Sequence, residues 1–174
     1  GSGVGGGLVV DQEIYHGAIP GEAEIGHVRL DNAGTIVEKR CSGWAVDKRI
    51  RDEIEAEPDS PLAKLVRESP GGEARHLPEA IEFGDKVAAR VLDETAEDLA
   101  FALSHVTHLA HPEMIVLGGG LSFVGDLLRE AVQQHLPRFL MDAFKPGPAV
   151  RIAAFGEDVV TVGALLLAKA ANSK

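Results

Sequence analysis

Apolar positions in the second half of the chain advance by three or four residues between residues 84 and 111. That period is typical of one long helix buried along a single face. Pro112 ends the helix, because proline cannot continue one. The predicted apolar stripe consists of Val87, Val91, Thr95, Leu99, Ala102, Val106 and Leu109. We expect this stripe to face the core.

Beyond this helix the pattern predicts a strand, a helix, a second strand and a closing helix. Met114–Leu117 is a continuous apolar run, which is typical of a strand buried on both faces of a sheet. A helix is predicted over 124–136, a strand over 150–154 and an apolar helix over 158–171. This order implies a right-handed crossover and a parallel pair of strands covered by helices.

The first half of the chain begins with short strands. Residues 8–10 and 14–15 predict a β-hairpin, and residues 28–30 and 35–37 predict a second pair. The connection over 31–34 contains Asn and Gly, which tolerate the positive φ that tight turns require. We therefore expect two antiparallel hairpins before the first helix.

A helical period begins after Ser42, which is a plausible N-cap residue. The predicted helix ends before Pro58, and its recurring apolar positions are Trp44, Val46, Ile50 and Ile54. Prolines and glycines punctuate the next segment, about 56–78. This segment is therefore expected to be a loop-rich excursion with one short helix over 62–67.

Composition and charge narrow the possible functions. The 174 residues are 45% hydrophobic and carry a formal net charge of −10, which argues against sequence-independent binding of nucleic acid. The single cysteine, Cys41, excludes an internal disulfide and a multi-cysteine metal cluster, and we expect it to be a buried, inert thiol. No signal peptide or bilayer-spanning run is visible. We expect a cytoplasmic protein without a membrane partner.

The glycine-rich start, GSGVGGG over residues 1–7, is the first candidate for chemistry. Glycines allow backbone N–H groups to approach a phosphate closely, and the Ser2 hydroxyl can add a donor. The pattern is neither a Walker loop nor a Rossmann fingerprint. A flexible linker or a cloning remnant would have the same composition, so both interpretations stay open.

A second glycine cluster, Gly118, Gly119 and Gly120, lies between a predicted strand and a helix. Open α/β sheets bind ligands at the carboxyl ends of their strands. A tight turn without a ligand would also explain the three glycines. Two glycine loops together fit the two ends of a nucleotide, one for phosphate and one for adenosine.

Acidic and imidazole side chains supply candidates for holding a sugar. Glu24 and His27 lie three residues apart, and Glu38 follows across the second predicted hairpin. Carboxylate and imidazole groups can bind sugar hydroxyls in fixed directions, although solvated loop residues would look the same.

Three histidines, His105, His108 and His111, recur on the long helix. Their spacing brings neighbouring pairs within reach of one metal ion. We favour a structural role on a helix that runs from core to surface.

Taken in order, the motifs resemble the ROK family of sugar kinases and related repressors. The resemblance rests on GSGVGGGLVVDQEIYHGA, GEAEIGH, VEKRCSGWAVDKRI, HPEMIVLGGGLS and GEDVVTVGALLLA. It covers nearly the whole chain apart from the loop-rich middle. It implies an α/β fold of the actin-like ATPase (ribonuclease H-like) type. This chain would be its C-terminal lobe, with a mixed sheet covered by helices.

The resemblance also implies roles for the candidate residues. Sugar hydroxyls would contact Glu24 and His27 of the ExGH motif, and Glu38 ahead of the Ser-Gly turn. The phosphates of ATP, with Mg²⁺ in the intact protein, would lie against Gly1, Ser2, Gly3, Gly5 and Gly6. Adenosine would lie against Gly118, Gly119 and Gly120.

Two departures from the family pattern change what is expected. Family members commonly hold a structural zinc with cysteines between the ExGH motif and the later acid, but residues 28–37 contain none. A zinc site needs about four ligands, so we predict no zinc. The family's N-terminal lobe, which carries the catalytic aspartate, is also absent from residues 1–174. We therefore expect no catalytic residue in this chain and no turnover by it alone.

The expected parent is an ATP-dependent kinase of a hexose or N-acetylhexosamine. This chain would supply its sugar clamp and adenosine wall. The alternative is the sugar-sensing lobe of a ROK-type transcriptional repressor, although intact glycine motifs favour the kinase because a sensor does not need ATP. The expected partners are the sugar, ATP, the missing lobe and a second copy in a homodimer, with no nucleic acid bound by this chain.

Overall fold

The computed structural model describes residues 1–18, 21 and 23–171. The described residues combine short strands with helices in an α/β arrangement. Its elements are β1 (Val9–Val10), β2 (Glu13–Ile14), α1 (Val37–Cys41), α2 (Gly43–Ala56), α3 (Pro61–Glu68), α4 (Leu77–Glu82), α5 (Lys86–Ala110), β3 (Met114–Leu117), α6 (Asp126–His135), β4 (Ala149–Ile152) and α7 (Val159–Ala171). Short 3₁₀ helices connect several of them, including Ile25–His27, Glu73–His76 and Gly120–Val124.

Helix α5 is the centre of the core and confirms the long predicted helix. Asp85 caps its first turn by accepting hydrogen bonds from the N–H groups of Val87 (2.8 Å) and Ala88 (3.0 Å). The other carboxylate oxygen accepts from the Leu62 N–H at 2.7 Å, which ties α3 to the start of α5. Helices α1, α2, α4 and α6 pack around it. One predicted core position is wrong, because Leu109 in the last turn is 89% exposed beside an open groove.

The predicted parallel pair is confirmed in β3 and β4. Met114 pairs with Ala149 at one end and Leu117 with Ile152 at the other. Helix α6 connects the two strands and packs against both α5 and β4. Burial of β3 on both faces is not found. Side chains alternate along a strand, and Met114 and Val116, which share one face of β3, are 52% and 54% exposed.

The first hairpin is confirmed, whereas the second predicted pair is reduced to a single bridge that ends where a helix begins. Strands β1 and β2 pair in an antiparallel register. Between 28 and 37 there is a single bridge, Arg29 with Ile36, and the Asp31 carboxylate closes the turn by accepting from the Thr35 N–H at 3.0 Å. Val37 is fully buried and begins α1, so the second strand cannot extend. Strands form two separate pairs within the described ranges.

The segment around 56–78 contains more helix than its composition predicts. Pro61 and Pro78 lie in the first turns of α3 and α4, where a missing N–H costs nothing, so they start helices instead of breaking them. The Asp47 carboxylate of α2 accepts from the Ala74 N–H at 2.8 Å and holds the 3₁₀ turn against the core. The excursion is therefore packed on α2 and α5 through α4.

Helix α2 begins as predicted, but its tryptophan does not face the core. The Ser42 hydroxyl accepts from the Ala45 N–H at 3.2 Å, which confirms the N-cap. Val46 and Ile50 are fully buried, whereas Trp44 is 67% exposed. Trp44 lies in the first turn, two residues away from the buried Val46, and so projects from a different face of the helix.

The closing helix α7 is confirmed as a helix, and its apolar side chains are exposed. Val160, Leu165, Leu166 and Leu167 all lie on the surface of the described structure. No helix in the described part of the chain combines the length and apolarity needed to cross a membrane.

Candidate functional site

The glycine-rich start folds back onto the loop that carries Glu24 and His27. A Cβ atom on Gly26 would overlap the carbonyl oxygen of Val4, and one on Gly6 would lie 2.6 Å from the carbonyl oxygen of Ala23. Two backbone segments can approach this closely only where side chains are absent. The glycines of both motifs therefore build one joint, which a flexible linker would not require.

Glu38 holds this glycine loop in place through its carboxylate. Its Oε2 accepts a hydrogen bond from the Val4 N–H at 3.1 Å, and a Cβ on Gly3 would lie 2.7 Å from the same oxygen. Glu38 is half-buried in the first turn of α1, a position where the helix dipole stabilises a carboxylate. It can therefore position the loop and still present carboxylate surface to a ligand.

The second glycine cluster meets the first at Gly1. The Gly1 nitrogen lies 3.5 Å from the place a Cβ would occupy on Gly120, and 3.1 Å from the corresponding place on Gly43. The Trp44 N–H donates to the Gly1 carbonyl oxygen at 3.2 Å. The carboxyl end of β3, the start of α2 and the glycine loop thus converge on one point.

Two cavities open beside this junction. The first, which we call the central groove, has a volume of about 620 Å³ and is lined by Glu24, both glycine clusters and apolar side chains that include Leu99, Leu103 and Val106. The second, which we call the α2 pocket, has a volume of about 580 Å³. Its lining includes Ser2, Glu38, Lys39, Trp44, Lys48, Arg51, Gly71 and Gly72.

The structure separates the three predicted sugar-binding residues. Glu24 lines the central groove and Glu38 lines the α2 pocket. His27 is exposed at the end of the 3₁₀ helix Ile25–His27 and lines neither of these two cavities. The glycine loop lies between the two carboxylates, because it contacts Glu38 on one side and the Ala23–Gly26 backbone on the other.

Ion pairs fix the charged wall of the α2 pocket. Arg51 donates to Glu73 at 2.8 Å, and Lys48 to Asp52 at 2.5 Å. Burial acts to raise the pKa of Glu73, but hydrogen bonds from its own N–H, Arg51 and the Gly71 N–H outweigh burial, so the pKa lies below its ordinary value. Glu73 is therefore a buried carboxylate that stays charged and holds Arg51 at the pocket.

The three histidines of α5 pack against aromatic rings. His111 stacks on Phe144 with ring centres 4.2 Å apart, and His105 meets the edge of Phe101 at 4.8 Å. The Met141 N–H donates to Nε2 of His108 at 3.1 Å. Across residues 1–18, 21 and 23–171 no group of three or more His, Cys, Asp or Glu side chains could hold a metal ion. The absence of zinc stays a prediction.

Cys41 is a buried thiol, as predicted. It is almost fully inaccessible at the end of α1, and burial, assisted by the negative charge of Asp98, raises its pKa to about 12. A thiol in this state is a poor nucleophile.

A protein-family model described as the ROK family matches residues 1–171. The chain belongs to the ROK family. Its relatives include a glucokinase of Halalkalibacterium halodurans, 29% identical over 97% of this chain and 54% of the relative. An N-acetyl-D-glucosamine kinase of Mannheimia succiniciproducens is 31% identical over 96% of this chain and 56% of the relative. The ROK chain thus spans about half the length of these curated kinases.

Repressors and solved structures complete the comparison. A xylose repressor of Caldicellulosiruptor bescii is 25% identical over 78% of this ROK chain and 37% of the relative. The crystal structure of a ROK family glucokinase from Streptomyces griseus, in complex with glucose and AMPPNP, superposes with a TM-score of 0.84 at 28% identity. It covers 96% of this chain and 57% of that one. The predicted actin-like ATPase fold is confirmed.

Of the α2 pocket, Ser2 and Glu38 are predicted site residues, whereas its helix α2 residues were not predicted. Trp44 was assigned to the core because its helical spacing from Ile50 was counted with the buried positions. Trp44, Lys48 and Arg51 also recur at intervals of four and three, which defines a second stripe on the same helix. That second spacing is the signal that could have revealed the pocket.

Proposed function

We propose that this ROK chain is the C-terminal lobe of an ATP-dependent kinase of a hexose or N-acetylhexosamine. The observation that carries the proposal is the junction at Gly1, where both glycine clusters meet beside the carboxylate of Glu38. Relatives named glucokinase and N-acetyl-D-glucosamine kinase support the substrate class. The S. griseus glucokinase, which binds glucose and AMPPNP, supports ATP as the phosphoryl donor.

The proposed roles follow the motifs on the glycine loop and on both sides of it. Sugar hydroxyls bind Glu24, His27 and Glu38, and Gly118, Gly119 and Gly120 form the wall for adenosine. The phosphates and their Mg²⁺ bind at Gly1, Ser2, Gly3, Gly5 and Gly6. Gly1 and Gly5 suit close approach of a phosphate, because a Cβ on either would meet nothing within 4 Å and the backbone there is open.

Transfer of the γ-phosphoryl group depends on positioning and on neutralising charge. This chain supplies backbone N–H donors and carboxylates that hold a sugar. The base that accepts the proton of the sugar hydroxyl would come from the N-terminal lobe. The chain alone is therefore expected to bind ATP or sugar weakly and to show no turnover. Measurable sugar phosphorylation by the purified chain would contradict this assignment of the base.

Glu24→Gln tests the sugar site in the intact kinase. Loss of one charged hydrogen bond costs about 1.5–3 kcal/mol, which corresponds to roughly a 10- to 150-fold weaker sugar affinity. Calorimetry should show a much smaller change for ATP. Glu79→Gln, an exposed carboxylate on α4 outside both cavities, is the matched control. Equal sugar affinity in Glu24→Gln and Glu79→Gln would remove Glu24 from the site.

The second candidate is the sugar-sensing lobe of a ROK-type repressor, and the match to a xylose repressor favours it. A sensor needs the sugar-binding residues but not ATP. Calorimetry with glucose, N-acetylglucosamine and xylose, each with and without an ATP analogue, separates the candidates. Nucleotide binding supports the kinase, and sugar binding without any nucleotide binding supports the sensor.

The remaining expectations concern assembly and location. We expect a homodimer, and light scattering of the intact protein measures this. We expect the protein to lie in the cytoplasm and to hold no structural zinc. The net charge of −10 leads us to expect that this chain binds no nucleic acid.

A further inference from the structure

Helix α2 presents two different stripes of side chains. Val46 and Ile50 are fully buried against the core. Trp44, Lys48 and Arg51 follow at intervals of four and three residues, so they share another face of the helix, and all three line the α2 pocket. The packing of the core explains the first stripe. In the second stripe Lys48 and Arg51 form ion pairs with Asp52 and Glu73, whereas the Trp44 indole stays exposed.

The α2 pocket is continuous with the glycine loop. The backbone N–H of Trp44 donates to the Gly1 carbonyl oxygen at 3.2 Å. The Trp44 side chain therefore leaves the helix at the point where the glycine loop meets it. Ser2 lines the same pocket, and Gly71 and Gly72 lie on its wall. A Cβ on either of these two glycines would meet no atom within 4 Å. A flat ligand can therefore reach open backbone on one side and the indole on the other.

The pocket also continues towards the second glycine cluster. The 3₁₀ helix Glu73–His76, which follows the Gly71-Gly72 turn, packs against the 3₁₀ helix Gly120–Val124. A ligand seated between Trp44 and this turn would thus remain beside Gly120. At about 580 Å³ the pocket lies within the range of small-molecule and cofactor sites.

The charge of the pocket differs from that of the chain. The protein carries a net charge of −10, whereas the lining of this cavity is balanced. It contains three basic and three acidic side chains: Lys39, Lys48 and Arg51 against Glu38, Asp47 and Glu73. Arg51 pairs with the buried carboxylate of Glu73, which holds its guanidinium group near the pocket, whereas Lys48 pairs with the exposed Asp52. Cations beside an exposed aromatic ring suit a ligand that combines phosphates with a planar base.

We propose that Trp44 is the stacking platform for the base of the nucleotide, with Lys48 beside its phosphates. This inference rests on the proposed function and adds to it the residue that holds the base. The phosphates lie at the Ser2 end, the ribose beside Gly120, and the base on the indole. A tryptophan stacks well here because it presents a large, rigid surface with only two rotatable side-chain bonds.

The test uses the fluorescence of Trp44, which is the only tryptophan in the chain. The purified chain is titrated with ADP to millimolar concentration while calorimetry measures binding independently. Stacking of the base should quench the emission in proportion to the bound fraction. Inorganic tripolyphosphate, which has no base, should bind with little quenching.

Three variants separate the contributions of base and charge. Trp44→Ala should weaken ADP binding by about 5- to 150-fold, the usual range for loss of one base–aromatic stack, and Trp44→Phe should recover most of it. Lys48→Gln should weaken both ADP and tripolyphosphate, but not adenosine. Lys64→Gln, an exposed lysine of α3 outside the pocket, is the matched control and should leave both affinities unchanged.

The outcomes distinguish this inference from the proposed function. ADP binding measured by calorimetry, with unquenched emission and unchanged affinity in Trp44→Ala, would overturn the inference alone. No binding of any nucleotide by the unsubstituted chain would overturn both the inference and the proposed function. Circular dichroism of each variant verifies that the fold is retained.

Discussion

Gly26 is the position where one added methyl group should do the most damage to the candidate site. In the native chain Gly26 is buried, and its Cα faces the Val4 carbonyl oxygen so closely that a Cβ would overlap it. Val4 cannot move away freely, because its N–H donates to Glu38 at 3.1 Å. Gly26→Ala must therefore displace the glycine loop, the Ala23–Gly26 backbone or both.

The magnitude follows from two physical costs. Overpacking a well-filled site costs about 1–3 kcal/mol, and movement of Val4 also weakens a hydrogen bond to a charged acceptor, worth about 1.5–3 kcal/mol. Because the chain will relax along the cheaper route, we expect Gly26→Ala to lower the free energy of unfolding by about 1–3 kcal/mol. Nucleotide affinity should fall as well, since the loop that binds phosphate moves.

Urea unfolding followed by circular dichroism measures the loss of stability. Gly5→Ala is the matched control, because it lies in the same loop, has an ordinary φ and would place its methyl group in open space. Its stability should stay within about 0.5 kcal/mol of the parent, although it can still impair phosphate binding. Equal stability of Gly26→Ala and Gly5→Ala would refute the proposed joint between the two loops.

Two further predictions concern buried ionisable groups. Cys41 should be inert towards DTNB at pH 8 in the native protein and react fully in urea, because a pKa of about 12 leaves roughly one thiol in 10,000 ionised; fast native reaction would contradict its burial. Glu73 has a folded pKa below its unfolded value, so the stability it contributes is present above the unfolded pKa and is lost as pH falls through the folded pKa. Glu73→Gln should cost about 1–3 kcal/mol at pH 7 and lose less stability than the parent between about pH 5 and pH 3; parallel pH profiles would disprove the role of Glu73.

Local patterns predicted those elements whose signals lie within a few residues. The first hairpin, the Ser42 cap and α5 depend on turn residues, capping and a sustained period. The pairing of β3 with β4 followed from the rule that a strand–helix–strand unit is right-handed and parallel. Short-range geometry decides the hairpin, the cap and the helix, and the connection rule decides the strand pair, so the sequence was sufficient.

Burial on particular faces could not be predicted, because it depends on partners distant in sequence. Trp44 and Leu109 fit a helical stripe as well as their buried neighbours do, yet nothing in the described structure packs over them. Pro61 was counted among the breaks of the loop-rich segment, since its role as a helix start depends on Asp85, which holds the neighbouring Leu62 N–H in place.

The candidate site was predicted in part. The resemblance identified the glycine clusters and Glu38 that the structure brings together at Gly1. Placement of Glu24 and Glu38 on opposite sides of the glycine loop was not predicted, because motif order carries no information about which side of a loop a neighbour occupies. The α2 side of the pocket was missed for the related reason that one helix can carry two distinct stripes, one buried and one exposed.

The three adjacent leucines of α7, Leu165, Leu166 and Leu167, set a geometric condition on anything that shields them. Successive residues of a helix point about 100° apart, so these three exposed side chains sweep across more than half of the circumference. A single flat surface cannot bury all three side chains at once. A partner that buries them all must contact the helix from at least two directions.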